Sequence, residues 1–565
     1  MIAIGSIIKI IFLCIILMYI YLLNHNNIHE NFNIENFVKN HNKLKEIQDL
    51  SLQEKIGQLM CIGFKTPELT EEIRAMIREY KIGNFILFSR NIRNLTQFEK
   101  LNRDIHEEVM KTTGIMPFIG IDQEGGNIVR INDKYTSYPG PMTLSATTIE
   151  NAKMVGHMMG RDLMALGVNM NFAPLLDINN NPKNPIIGIR SFSDKPEIVS
   201  KYAIELIKGM QEEGVIATAK HYPGHGDVEI DSHLDLPIFT FDKERLYNME
   251  LKPYKEAIDK GLKSIMTAHI LFKEIDNENP ATLSKILLKG ILRDELNYKG
   301  LIYSDCMEMD AISKRMPISQ AAVKGIKAGN DIILVCHTKE HQIESIKKIK
   351  KAIEDNLITL EEIDDRVSRI LKYKNEVYSV MKEKFFLNKN NLDIFINSNQ
   401  DKTIQKIVDS SLTFVNGKKF EMKGKILIYW CKISALDKAQ FNFNKGKNEK
   451  ITNKEIASID LLEYNPKEYS QNLIDKSENY DTIIFLSFNA FYNSSQAKMI
   501  NKLNSINSNF FVISIRNPYD YLAIDKNINF YTLYESTPNS MRTLNKFLKG
   551  EIDAVGKLPI DLKHI

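Results

Sequence analysis

The segment ATAKHYPGHGDVEIDSH, residues 217–233, joins a short strand-like run to a dense group of titratable side chains. Its first residues fit a buried β-strand. Pro223, Gly224 and Gly226 then end the strand, because proline lacks a backbone donor and glycine admits positive φ. Three histidines and three acidic residues are therefore predicted to project from a flexible loop that follows the strand.

The same plan, a short apolar strand followed by an amphipathic helix, recurs on both sides of this segment. A typical helical pattern is EIVSKYAIELIKGMQEEG at 197–214. The eight strand-like runs are GQLMCIGF (57–64), GNFILFS (83–89), PFIGID (117–122), VNMNFAP (168–174), ATAKHYPG (217–224), SIMTAHI (264–270), GLIYSD (300–305) and DIILVC (331–336). Strands that alternate with helices predict a parallel sheet, and eight such units predict a (β/α)8 barrel.

Polar side chains stand at the carboxyl ends of several predicted strands. Asp122 ends the third strand, Lys220 and His221 end the fifth, His269 ends the sixth and Asp305 ends the seventh. A barrel of this kind places its working residues at this rim. The alternative is that these charged groups only pair with one another.

The chain length of 565 residues exceeds what one hydrophobic core usually supports, so we expect two folded domains. Residues 49–386 are predicted to form the barrel domain and residues 387–400 a linker. Residues 401–565 are predicted to form a smaller α/β sandwich domain. Its strand-like runs are KILIYW (425–430), TIIFLSF (482–488), FFVISIR (510–516) and INFYTLYE (528–535).

The amino terminus differs from the rest of the chain in its hydropathy. Residues 1–23 contain a nearly continuous apolar run, long enough to span a bilayer as a helix. No small-x-small cleavage site follows, so an uncleaved signal anchor is favoured over a removed signal peptide, and Cys14 leaves a lipid anchor open. Residues 24–48 are polar and are predicted to be a tether. We expect a membrane-anchored protein whose catalytic domain faces outward, or a secreted one if the segment is cleaved.

Composition excludes some classes of partner. The chain is 43% hydrophobic and 26% charged, with a formal net charge of +3, which gives no reason to expect nucleic acid as a partner. Its five cysteines have no paired spacing, so they predict neither a zinc motif nor a disulfide framework.

Two kinds of chemistry fit the histidine-rich loop. A zinc site would use His221 and His225 with Asp227 or His233, although zinc ligands normally lie on rigid elements. An acid–base centre would use Asp231 and His233, because a carboxylate two residues away can orient an imidazole and stabilise its cation. The second interpretation is favoured.

The loop resembles the KHFPGHG…DSH signature of glycoside hydrolase family 3, in particular its two-domain β-N-acetylglucosaminidase (β-hexosaminidase) members. The resemblance spans residues 50–375 and implies a (β/α)8 barrel. Further matching motifs are SLQEKIGQLM, NFILFSRNI, IDQEGGNIVR, NPIIGIRSFS, MTAHI, YSDCMEM and AGNDIIL.

The resemblance also implies roles for individual residues. Asp305 matches the nucleophile of the family, His233 its general acid/base, and Asp231 the partner that holds this histidine. Residues that would bind the sugar are Asp122, Arg130, Arg190, Lys220 and His221. His269 is predicted to line the sugar pocket, with a buried, hydrogen-bonded histidine as the alternative. No metal and no organic cofactor is expected.

These roles predict a retaining exo-β-N-acetylglucosaminidase. Its partner would be a carbohydrate with terminal β-linked N-acetylglucosamine, such as a peptidoglycan fragment in cell-wall turnover. Two alternatives remain open: a β-N-acetylglucosaminide phosphorylase with the same site, and a non-catalytic cell-wall-binding protein.

Overall fold

The computed structural model describes residues 33–41, 44–131, 135–229, 231–396, 399–431 and 459–562. The predicted membrane anchor at 1–23 lies outside these ranges. Within them, no helix combines the length and the apolar character that crossing a bilayer requires.

Part of the predicted polar tether differs from expectation. Ile34–Asn40 is a helix, and Ile34 and Val38 are buried in the hydrophobic core that also contains the barrel. The Tyr378 hydroxyl donates a hydrogen bond of 2.9 Å to the His41 carbonyl. This part of the segment is therefore folded onto the barrel domain, because its two buried apolar residues, four positions apart, share one helix face.

Eight parallel strands close into a barrel, as the alternation of strands and helices predicts. Chain order is also the order around the barrel, and β8 pairs with β1 through Met60 and Ile333. The strands are β1 Met60–Ile62, β2 Asn84–Leu87, β3 Phe118–Ile121, β4 Met170–Asn171, β5 Ile216–Tyr222, β6 Ser264–Thr267, β7 Leu301–Cys306 and β8 Ile332–Val335.

Helices cover the outside of the barrel. The first of them starts with reciprocal hydrogen bonds: Ser51 Oγ accepts from the Glu54 N–H at 3.3 Å, and Glu54 Oε2 accepts from the Ser51 N–H at 2.9 Å. This helix takes up the beginning of the run predicted as the first strand, which is why β1 is short. The barrel domain has α-helices at Leu52–Gln58, Glu71–Tyr80, Leu95–Thr113, Pro141–Ser145, Ile149–Ala165, Pro196–Glu212, Lys243–Asn248, Lys252–Asp259, Asp310–Ser313, Ile318–Ala328, Lys339–Glu354 and Leu360–Met381, and π-helical segments at Ile286–Glu295 and Lys382–Phe386.

A second domain is built on a six-stranded sheet with its own core, and the four predicted strands are present. Its strands are β9 Thr413–Asn416, β10 Ile426–Cys431, β11 Ile459–Tyr464, β12 Thr482–Ser487, β13 Phe510–Ser514 and β14 Asn529–Thr532, in the order β9-β14-β13-β12-β10-β11. Only β9 runs antiparallel to its neighbour. α-Helices lie at Asp393–Ile396, Gln400–Asp409, Gln471–Asp475, Ser494–Ile506 and Pro538–Leu548.

The second domain contacts the barrel at the rim that carries the polar strand ends. Asn179, which follows β4, donates a hydrogen bond of 2.9 Å to the Tyr519 hydroxyl. Buried Glu535 accepts hydrogen bonds of 2.7 Å from the Gly140 N–H and from the Thr143 hydroxyl. Because both contacts join loops above the strands, the second domain helps to shape the barrel opening.

Candidate active site

The loop after β5 carries an aspartate–histidine pair. Asp231 Oδ1 lies 2.8 Å from His233 Nδ1 and also accepts a hydrogen bond of 2.8 Å from the backbone N–H of His233. The His233 side chain is 62% exposed, whereas that of Asp231 is 16% exposed. The hydrogen bond to Asp231 raises the pKa of His233, and partial burial opposes this effect. The imidazole is thus oriented and holds a proton more firmly than a free histidine.

Asp305 lies at the carboxyl end of β7, and its Oδ1 accepts a hydrogen bond of 2.7 Å from the Cys306 N–H. Burial would raise the pKa of this carboxyl group. The imidazoles of His269, His221 and His233 outweigh that effect by favouring the anion, so the pKa lies below its ordinary value. Asp305 is therefore an ionised carboxylate at neutral pH, as a nucleophile must be.

A partly buried network of two carboxylates and three cations lies at the same rim, with its carboxylates in the segment after β3 and its lysine in β5. Lys220 Nζ lies 2.9 Å from Asp122 Oδ1 and 2.8 Å from Glu124 Oε1. Arg130 Nη2 lies 3.2 Å from the other oxygen of Asp122, Oδ2. Arg190 donates two hydrogen bonds to Glu124, of 2.8 and 2.9 Å. Burial would raise the pKa of both carboxyl groups, but the cations hold both below their ordinary values. The network presents fixed donors for the hydroxyl groups of a compact ligand.

Not all of the histidines project from the loop, contrary to prediction. His221 lies in β5, where its Nδ1 is 2.8 Å from Asp177 Oδ2, and the side chain is 10% exposed. His225 is buried, and its Nε2 lies 3.0 Å from Ser232 Oγ. Burial lowers the pKa of His225 to about 4. Only His233 is largely exposed. Asp177 is not among the residues predicted from the sequence. It contacts His221 and also accepts a hydrogen bond of 2.8 Å from the His225 N–H, so it holds the start of the loop against the barrel.

Close backbone approach explains the second glycine of the PGHG motif. A Cβ atom on Gly226 would lie 1.6 Å from the Ile178 carbonyl oxygen, so a larger residue does not fit. Asn184 fixes the same turn from the other side, since its Nδ2 donates to the carbonyls of His225 at 2.8 Å and Gly226 at 3.1 Å. The loop is held from two sides before it reaches Asp231.

His269 is buried and hydrogen-bonded within the protein, and its place in the lining of the sugar pocket stays a prediction. Its Nδ1 lies 2.8 Å from Thr282 Oγ1, its Nε2 lies 2.9 Å from the Cys306 carbonyl, and the residue is 1% exposed. Both ring nitrogens are therefore engaged by groups of the protein. His269 supports the end of β7 beside Asp305.

The three imidazoles have different hydrogen-bond partners: Asp177 for His221, Ser232 for His225 and Asp231 for His233. In the described part of the chain, no group of three or more His, Cys, Asp or Glu side chains is arranged to hold a metal ion.

A cavity of about 140 Å³ lies beside Arg190, between the barrel loops and the second domain. Backbone-rich loops form one wall and polar side chains of the second domain the other. The lining comprises residues 125–127, 140–141 and 184–190 with Asn489, Tyr492, Arg516, Asn517, Tyr534 and Glu535. No sequence pattern marks the second-domain members, because they come from three separate segments of the chain.

An ionised carboxylate, a proton-holding imidazole and a set of fixed donors are the groups that glycosidic bond cleavage requires. The glycosyl hydrolase family 3 N-terminal domain matches residues 51–373. The chain is 34% identical to beta-hexosaminidase A of Pseudoalteromonas piscicida over 336 residues, which make up 55% of this chain and 55% of that protein. It is also 34% identical to beta-hexosaminidase of Idiomarina loihiensis over 327 residues, covering 57% of this chain and 94% of that protein.

One solved structure resembles both domains. A glycoside hydrolase family 3 beta-N-acetylglucosaminidase from Paenibacillus sp. str. FPU-7 aligns with a TM-score of 0.83 at 33% identity, covering 91% of this chain and 99% of that one. The chain therefore belongs to glycosyl hydrolase family 3 and is a glycoside hydrolase.

Proposed function

We propose that the enzyme is a retaining exo-β-N-acetylglucosaminidase that acts on terminal β-linked N-acetylglucosamine. The observation that carries the proposal is the Asp231–His233 pair at 2.8 Å, close enough to Asp305 for His233 and Asp305 to shift each other's pKa. The names of the beta-hexosaminidase relatives and of the aligned beta-N-acetylglucosaminidase support the choice of sugar.

In the first step, Asp305 attacks the anomeric carbon while protonated His233 donates its Nε2 proton to the departing oxygen. The bond to the aglycone breaks as a covalent glycosyl–Asp305 bond forms, and His233 becomes neutral. In the second step, neutral His233 takes a proton from water, and the resulting hydroxide attacks the anomeric carbon and releases Asp305. Two inversions give net retention.

Asp231 contributes by holding the Nδ1 proton of His233, which leaves Nε2 as the atom that exchanges a proton with the reacting groups. Its negative charge stabilises the protonated form of His233 in the free enzyme. Asp122, Arg130, Arg190, Lys220 and His221 would orient the sugar, with Glu124 holding two of these cations in place. Neither step calls on a metal or an organic cofactor.

The same site allows phosphate in place of water, because a histidine repels an anion less than a carboxylate would. Incubation with a β-N-acetylglucosaminide in the presence and absence of inorganic phosphate separates the two reactions. Free sugar as the product under both conditions supports hydrolysis, whereas sugar phosphate would assign a phosphorylase. Sugar binding without turnover would assign the non-catalytic cell-wall-binding role.

We further propose that the substrates are peptidoglycan fragments and that residues 1–23 anchor the enzyme with its catalytic domain outside the membrane. The apolar run in the sequence supports the anchor. Membrane fractionation of the full chain and protease accessibility in intact cells test it. Recovery of the whole protein in the soluble cell interior would contradict this placement.

The test of the activity itself is hydrolysis of an aryl β-N-acetylglucosaminide by the parent enzyme and its Asp305→Ala variant. The proposal predicts turnover by the parent and loss of at least about 10³-fold in the variant, since the nucleophile is removed. Comparable rates in the two proteins would overturn it.

A further inference from the structure

Arg90, in the loop after β2, is a fixed cation at the barrel rim that the proposed mechanism does not use. Its Nε donates a hydrogen bond of 2.9 Å to the Phe64 carbonyl after β1, and its Nη2 donates one of 3.0 Å to the Cys336 carbonyl after β8. The guanidinium also lies over the Phe88 ring, with 4.2 Å between its central carbon and the ring centroid. Three neighbouring strand ends thus hold the group in one orientation.

Among the residues that the structure describes, no carboxylate forms an ion pair with Arg90 and no acceptor takes a hydrogen bond from its Nη1. The acidic side chain whose charge acts on Arg90 is Glu308. Its carboxylate accepts hydrogen bonds from the backbone N–H groups of His337 at 2.6 Å and Thr338 at 3.0 Å, and it lies 3.1 Å from His341 Nδ1. Arg90 therefore has no direct ion pair, and the charge of Glu308 acts on it only through space.

Lys65 and His337 are the other basic residues around this spot. His337 packs against Phe88 with 5.3 Å between ring centroids. Partial burial lowers the pKa of His337, and the nearby charges of Arg90 and Lys65 lower it further against the opposing effect of Glu308. Lys65 is exposed and, within the described residues, has no ion pair. The local field favours an anion.

This cationic patch borders the sugar-binding network. Arg130, which pairs with Asp122, lies 5.9 Å from the Phe88 ring centroid, and Ser89 Oγ donates a hydrogen bond of 3.0 Å to the Arg130 carbonyl. On the other side, β8 lies beside β7, the strand that carries Asp305. A group bound at Arg90 would therefore lie next to the terminal sugar and outside the network that holds it.

We propose that Arg90 binds a carboxylate on the aglycone, the part of the substrate that follows the scissile bond, and so makes the enzyme selective for acidic aglycones. The inference rests on the proposed function, since it assigns the aglycone side of the same site. Guanidinium forms two parallel hydrogen bonds to carboxylates, and holding it in place beforehand reduces the entropy cost of binding.

The test compares one disaccharide in two forms: N-acetylglucosamine β-1,4-linked to N-acetylmuramic acid, and the methyl ester of that acid. The full chain and its Arg90→Gln variant are assayed for kcat/KM on both. The parent is expected to prefer the acid, and Arg90→Gln is expected to lower the acid-to-ester ratio at least about tenfold, the value of one charge-assisted hydrogen bond. Arg93→Gln is the matched control, because Arg93 lies in the same loop and already pairs with Glu68 at 3.1 Å.

Salt provides a readout that does not depend on the variant folding. In the parent, raising ionic strength should raise KM for the acid and leave KM for the ester nearly constant. An equal effect of Arg90→Gln on acid and ester, a parent with no preference for the acid at low salt, or Arg90-dependent transfer to inorganic phosphate would overturn the inference. Release of N-acetylglucosamine from the ester shows that the proposed function holds even if the inference fails, whereas no release from either form rejects both.

Discussion

Replacing Asp231 with asparagine tests the acid/base pair with little change of shape. The backbone N–H of His233 can still bond to the side-chain oxygen of Asn, but the negative charge 2.8 Å from Nδ1 is lost. A hydrogen bond to a charged partner contributes about 1.5–3 kcal/mol, which corresponds to roughly 10- to 150-fold in rate if it acts in the transition state. We expect a loss of that size in kcat/KM for substrates that need full protonation of the leaving group.

The assay uses two substrates that differ in this need. N,N′-diacetylchitobiose releases a sugar alkoxide and requires the acid, whereas a 2,4-dinitrophenyl β-N-acetylglucosaminide releases a stable phenolate and hardly requires it. Asp231→Asn should therefore slow the first substrate far more than the second. Asp227→Asn is the control, because Asp227 lies in the same loop but pairs with Arg245 at 2.9 Å. Equal losses on both substrates would refute the assigned role and leave Asp231 a purely structural residue.

Other predictions concern pH, the buried network, the domain contact and metal dependence. In the parent enzyme, kcat/KM should fall on the alkaline side as His233 loses its proton, at a pH above the ordinary histidine pKa, and on the acid side as Asp305 gains one, below the ordinary aspartate pKa. Lys220→Met removes the cation that pairs with both Asp122 and Glu124, a change that lowers the free energy of unfolding by about 3–5 kcal/mol. Calorimetry should therefore show a lower unfolding temperature, and an unchanged one would contradict the network. Tyr519→Phe removes the hydroxyl bonded to Asn179 and should lower the unfolding temperature by less than Lys220→Met does; an unchanged unfolding temperature would count against the domain contact. Full activity after dialysis against a chelator is expected, and recovery only on adding back a divalent metal would revive the zinc interpretation.

The alternation of apolar strand-like runs with amphipathic helices made the barrel predictable from the sequence. Strands whose residues do not form an apolar run were not predicted. All eight barrel strands lie within or next to runs that are apolar over several residues. In the second domain, β9 and β11 were missed because most of their residues are exposed or half-buried, so neither reads as an apolar run. The strand ends were predicted less well: β4 is reduced to Met170–Asn171 within the run 168–174, and β6 to Ser264–Thr267 within the run 264–270.

Roles at the site were harder to predict, because they depend on residues far apart in the chain. Asp177 decides that His221 and His225 turn inward, yet it precedes them by more than forty positions and lies in an irregular segment. Likewise, Glu124 is a scaffold for Lys220 and Arg190 only because β3 and the loop after β4 meet at the rim. The contact between Asp231 and His233 could be predicted from the sequence, because residues two positions apart can form a hydrogen bond within one turn.

The most direct test of the account is to trap the covalent intermediate. His233→Ala should still attack a 2,4-dinitrophenyl β-N-acetylglucosaminide but stall before hydrolysis, because the base that activates water is missing. Mass spectrometry of the stalled protein should show one N-acetylglucosaminyl group, carried by the peptide that contains Asp305. An unmodified protein after a burst of phenolate, or a sugar attached to any other residue, would contradict the assignment of Asp305 as the nucleophile.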